Sequence, residues 1–100
     1  MPYINRNARV VMDPLLEGLA QQITEPGDLN YVVSRLLSLC IVASHDTPGY
    51  HSLSQWRAAL TDAAEEFYRR VMAPYEDYKR RRNGDVYQEV LDATTHPQLH

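Results

Sequence analysis

Two short basic runs, Tyr68-Arg69-Arg70 and Lys79-Arg80-Arg81-Arg82, are interleaved with Tyr75 and Tyr78. Aromatic rings beside cations suit a planar anion such as a nucleotide, through stacking plus charge. Much of the charge has a simpler use. Glu65–Arg69, Glu66–Arg70, Glu76–Arg80 and Asp77–Arg81 are spaced (i, i+4) with the acid first, the favourable order for ion pairs along an exposed helix. Lys79 and Arg82 differ. One helical turn before them stand Tyr75 and Tyr78, and Arg35 has Tyr31 in the same relation. These cations have no acid four residues earlier. They either stack on their own tyrosines, a contact worth about 0.5–1 kcal/mol, or present charge and ring to a ligand. Tyr31, Arg35, Tyr75, Lys79 and Arg82 are therefore the candidate ligand-binding residues.

No residue set predicts catalysis. His45, His51, His96 and His100 form neither a His-x-x-x-His nor a Glu-x-x-His spacing, and no Cys-x-x-Cys occurs, so no metal is expected. His45, Asp46 and His51 share a loop and are read as solvated. The acids of Glu65-Glu66 and of Glu76-Asp77 are adjacent on a helix, so their side chains diverge by about 100°. No serine or cysteine has the neighbouring base that a nucleophile needs, and no glycine-rich phosphate loop is present. The expectation is a protein that is not an enzyme and needs no cofactor.

Composition frames what must carry these residues. Hydrophobic residues make up 44% of the chain and charged residues 23%, ordinary globular usage. The net charge is −3. The first fifty residues carry three cations against five anions, and the last fifty carry seven against eight. Such a balance ranks bulk nucleic-acid binding low. The single Cys40 lies among Leu39, Ile41 and Val42 and reads as a small core residue. Met1–Pro14 contains no apolar signal region, and the longest apolar run, Leu39–Ala43, cannot span a bilayer. A cytoplasmic location is the expectation.

The periodicity predicts an all-α protein. Asp13-Pro14 reads as an N-cap followed by proline at the first helical position. Met12, Leu15, Leu16, Leu19 and Ile23 form one stripe, which Thr24-Glu25-Pro26-Gly27 ends. Asp28 caps a second, central helix over 29–43, with Leu29, Val32, Val33, Leu36, Leu37, Cys40 and Ile41 on a wide apolar arc. Residues 44–51 form a loop. Ser52 and Gln55 form a capping box. A long third helix then carries Leu53, Trp56, Leu60, Phe67, Val71, Tyr75 and Tyr78. Pro74 must kink or restart it, and Asn83-Gly84 stops it. Asp85-Val86-Tyr87 reads as a short extended piece. The result is a small bundle of three helices, or four if Pro74 breaks the third. It forms a single domain over residues 1–87, with a frayed tail over 88–100. One hundred residues support only a thin core, and a third helix over 53–82 overhangs its neighbours, so self-association is expected.

Several segments together resemble an uncharacterised family of short proteins from tailed bacteriophages and prophages. They are Met1-Pro2-Tyr3-Ile4, Gly27-Asp28-Leu29-Asn30-Tyr31-Val32 with Arg35-Leu36-Leu37, Phe67-Tyr68-Arg69-Arg70, Ala73-Pro74-Tyr75-Glu76-Asp77 and Asn83-Gly84-Asp85-Val86-Tyr87. The loop around 44–51 and the tail 88–100 depart from the pattern. The resemblance implies phage origin, a bacterial host cytoplasm and no known enzymatic activity. Small phage proteins of this kind act on the host by binding. The leading expectation is a non-enzymatic accessory protein that captures an anionic ligand, such as a nucleotide or nucleotide-derived host signal, as a counter-defence. The alternative is an adaptor or inhibitor of a host protein, with the tyrosine- and arginine-rich third helix as its contact face.

Overall fold

The computed structural model describes residues 2–45 and 47–94. It is all-α, with no strand among the described residues. The helices are α1 (Arg6–Ala20), α2 (Pro26–Ala43), α3 (Tyr50–Phe67), a π-helical turn (Tyr68–Met72), α4 (Ala73–Asn83) and α5 (Gln88–Thr94). The chain divides into two units, Met1–Ala63 and Ala64–His100.

In the first unit α1 begins seven residues before the predicted Asp13 cap. The Asn5 side chain accepts a hydrogen bond from the Ala8 amide at 2.9 Å, and Arg9 Nε donates to the Ile4 carbonyl at 2.9 Å. Together they fix the first turn. Pro14 consequently lies inside the helix rather than at its first position. The helix ends at Ala20, with Gln21 as its C-cap, so Ile23 lies beyond it, and Pro26 and Gly27, read as part of the stop, open the next helix instead.

Helix α2 starts at Pro26, with Glu25 as its N-cap. Asp28 does not cap alone. It is the third helical residue of a reciprocal capping box, and its Oδ2 accepts from Thr24 N (3.0 Å), Thr24 Oγ1 (3.1 Å) and Glu25 N (3.3 Å). The Thr24 backbone bond, then the Thr24 hydroxyl, hold the Asp28 carboxyl below its ordinary pKa. A depressed folded pKa stabilises the fold above the unfolded value, and the contribution is lost as pH falls through and below about 4. The melting-temperature advantage of the wild type over Asp28→Asn should therefore shrink as pH falls from 6 to 3. An advantage that stays constant in a pH series of thermal melts would contradict this role.

Helix α3 begins at Tyr50, with Leu53 N donating to the Gly49 carbonyl at 3.0 Å. The predicted Ser52–Gln55 box thus falls inside the helix and caps nothing. Asp46 lies outside the described residues.

The all-α small bundle read from the sequence is what forms, but its helices in the first unit are loosely packed. Its helix pairs meet at no more than isolated points. Val32, Val33, Leu37, Cys40, Ile41 and Trp56 are half-buried, and no described residue is fully buried. The predicted stripe of α1 faces outward: Leu15 is 72% exposed and Leu16 53%. Helical spacing identified the apolar face correctly, but the described residues of the first unit leave most of it open.

In the second unit Pro74 neither breaks nor ends the helix. The π-helical turn passes directly into α4, with no non-helical residue between. The Ala73 amide donates to the Tyr68 carbonyl, five residues back, instead of to Arg69. A proline ring in a regular α-helix collides with the carbonyl four residues earlier, here that of Arg70. The wider π turn moves that carbonyl aside. Proline costs up to about 3 kcal/mol relative to alanine within a helix. Part of this persists in the widened turn, so Pro74→Ala should raise thermal stability and helical circular dichroism. A fall in both would show that the π turn itself is stabilising.

Gly84, at φ 99°, ends α4 as its position predicts, its amide donating to the Arg80 carbonyl at 2.8 Å. A side chain is strained at such a φ, which is why glycine stands there. Asp85-Val86-Tyr87 is not extended. The Asp85 Oδ1 accepts from Tyr87 N at 2.8 Å and folds the segment into a turn that feeds α5. The stretch predicted to fray thus contains a helix from Gln88 to Thr94.

Candidate functional site

The five candidate residues fall in different units. Tyr31 and Arg35 are on α2 of the first, and Tyr75, Lys79 and Arg82 are on α4 of the second. Tyr31 is well exposed.

Within the second unit the sequence spacing produces two local pairs. The Lys79 ammonium lies 5.9 Å from the centre of the Tyr75 ring, a cation–π contact within one helix. Arg82 Nη1 donates to the Tyr78 hydroxyl at 3.1 Å. Glu66 pairs with Arg69, and Asp77 Oδ1 lies 3.6 Å from Arg80 Nη2. Both ion pairs span three residues, where the sequence suggested four. Either spacing joins neighbours on one helix face.

A shallow cavity of about 530 Å³ opens beside this array. Tyr68, Tyr75, Lys79 and Tyr87 line it together with Glu76 and Asp85. The turn at 84–87 supplies one wall and α4 the other. Tyr68, Glu76, Asp85 and Tyr87 were not among the sequence candidates. The Glu76 carboxylate accepts a hydrogen bond from the Tyr68 hydroxyl and raises the phenol's pKa above its ordinary value. The lining includes Glu76, Asp77 and Asp85 against Lys79 and Arg80, so the charge around the cavity does not favour an anion.

The exposed surface of this unit carries recognition groups beyond the cavity and shares Tyr68 and Tyr75 with its lining. Phe67, Tyr68, Val71, Tyr75 and Tyr78 are all roughly half-exposed on consecutive turns, next to the arginines of α4. In the first unit a second hollow, of about 440 Å³, is lined by Pro26, Leu29, Val33 and Leu60 with Asn30 and Ser34.

Among the described residues no group of three or more His, Cys, Asp or Glu side chains is placed to hold a metal ion. His96 and His100 lie outside those residues. No described helix is long and apolar enough to cross a membrane.

No curated protein and no solved structure matches this chain. One family model does, over residues 1–86, that of a domain of unknown function, DUF6899. The match takes in both units through the turn that follows α4, and the chain belongs to this family.

Proposed function

We propose that this is a non-enzymatic accessory protein of phage type that acts by binding a host protein through the tyrosine- and arginine-rich face of its second unit. The observation that supports this most is the exposed row Phe67, Tyr68, Val71, Tyr75 and Tyr78 beside Arg80, Arg81 and Arg82. Tyrosine and arginine dominate the energetics of protein interfaces because one side chain buries a large surface and still satisfies a polar tip. The matching surface is apolar at its centre and acidic at its rim, since Lys79 and Arg82 stand beside Tyr75 and Tyr78 of the row.

The test is site-specific photo-crosslinking in bacterial cells. A benzophenone side chain at Val71, between the tyrosines, should trap one defined host protein. Purified, that protein should bind the purified chain, and Tyr78→Ala should abolish the adduct. Absence of any specific adduct, or binding that survives Tyr78→Ala, would overturn the assignment.

A second reading, capture of a nucleotide or nucleotide-derived signal, draws support from Lys79 and Tyr75 at the cavity rim. It ranks lower because Glu76, Asp77 and Asp85 share that lining and the Arg82 guanidinium already engages Tyr78. A thermal-shift panel of mono-, di- and cyclic nucleotides separates the two. A ligand at 100 times its dissociation constant adds about 2.7 kcal/mol, roughly 10 °C or more for a small domain. A shift of that size, lost in Lys79→Ala, would establish the second reading.

A further inference from the structure

The first unit has the two halves of a helix-docking interface and leaves both open. One half is α1, whose Met12, Leu15, Leu16 and Leu19 project from successive turns and are between a third and three-quarters exposed. The other is the hollow of about 440 Å³ walled by Pro26, Leu29, Val33 and Leu60 from α2 and α3. Helix α1 does not pack along α2 or α3 of its own chain.

We infer that the hollow receives α1 of a second copy, and that the exchange is reciprocal. Three observations choose the second copy over a foreign partner. First, the chain exposes 9140 Å². Two separately compact bodies with the lengths of its two units would expose about 7,000 Å² together. The excess, summed over both units, is of the size that each subunit of an obligate homodimer buries, on the order of 1,000–2,500 Å², and the open faces of α1 and the hollow contribute to it. Second, no described residue is fully buried, and helices in proteins draw most of their stability from packing an apolar face. The cover has to accompany folding, and a second copy brings an identical α1 to every such hollow. Third, leucine and methionine on α1 match in chemistry the proline, leucine and valine of the hollow. A two-fold axis satisfies both hollows at once and closes the assembly.

The experiment places a photo-reactive benzophenone side chain at Leu16 in the otherwise intact protein and mixes it with a heavier, tagged copy lacking the probe. Adducts are mapped by mass spectrometry. The expected result is a crosslink between chains of different mass, landing on the segment 26–34 or near Leu60. In parallel, Leu16→Asp should weaken self-association on the order of a hundredfold, because each dimer loses two buried leucines. Three results would overturn the inference: crosslinks confined to one chain, crosslinks joining α1 to α1, or a folded species of 11.5 kDa at micromolar concentration. The crosslink mapping decides the matter even if Leu16→Asp fails to fold.

Discussion

Diluting the protein tenfold should lower its melting temperature by roughly 3–6 °C. If folding and self-association are one event, each tenfold dilution removes about 1.4 kcal/mol from the stability of the assembly. A body of about 200 residues converts 1 kcal/mol into roughly 2–4 °C. The reason lies in α1 and α2. Leu15, Leu16, Leu29 and Val42 are each more than half exposed among the described residues, and the inferred exchange of α1 would supply the apolar burial that drives folding. Melts by far-UV circular dichroism over two decades of concentration give the slope directly. A melting temperature independent of concentration would show that each chain folds alone.

The second large effect is on partner binding. Tyr75→Ala and Tyr78→Ala should each weaken association with the host protein by about 2 kcal/mol, close to thirtyfold, as central aromatic anchors do. Tyr75 is 61% exposed and Tyr78 49%, so neither supports a core. Their removal should leave stability within about 0.5 kcal/mol of wild type. Isothermal titration paired with thermal melts separates these quantities. Loss of stability equal to the loss of binding would mark the tyrosines as structural. Lys79→Ala is the internal control, since its main contact is with Tyr75 on the same helix. It should cost much less than either tyrosine.

The sequence revealed helix identity better than helix context. The arc on α2 and the stop at Gly84 were legible because apolar spacing and glycine at positive φ act locally. The start of α1 was not. Asp13-Pro14 is the stronger terminal signal on paper, yet Asn5 and the Arg9–Ile4 bond begin the helix earlier and carry it through the proline. The π turn at Tyr68–Met72 was also illegible. A sequence shows that Pro74 must disturb the helix, but not whether the chain kinks, stops or widens. At the candidate site, the Lys79–Tyr75 and Arg82–Tyr78 pairs follow from four-residue spacing. The second wall of the cavity, with Asp85, depends on that residue folding the turn beside α4, which periodicity does not encode. Burial was the least legible property of all. A stripe such as Met12–Leu19 states which face is apolar, and says nothing of whose side chains cover it.

Sedimentation equilibrium of the full chain at micromolar concentration measures that cover most directly. The inferred exchange of α1 predicts a species of at least twice the 11.5 kDa chain mass, helical by circular dichroism at the same concentration, that loses helix as it dissociates on dilution. A helical, cooperatively folded species at the mass of one chain would contradict it.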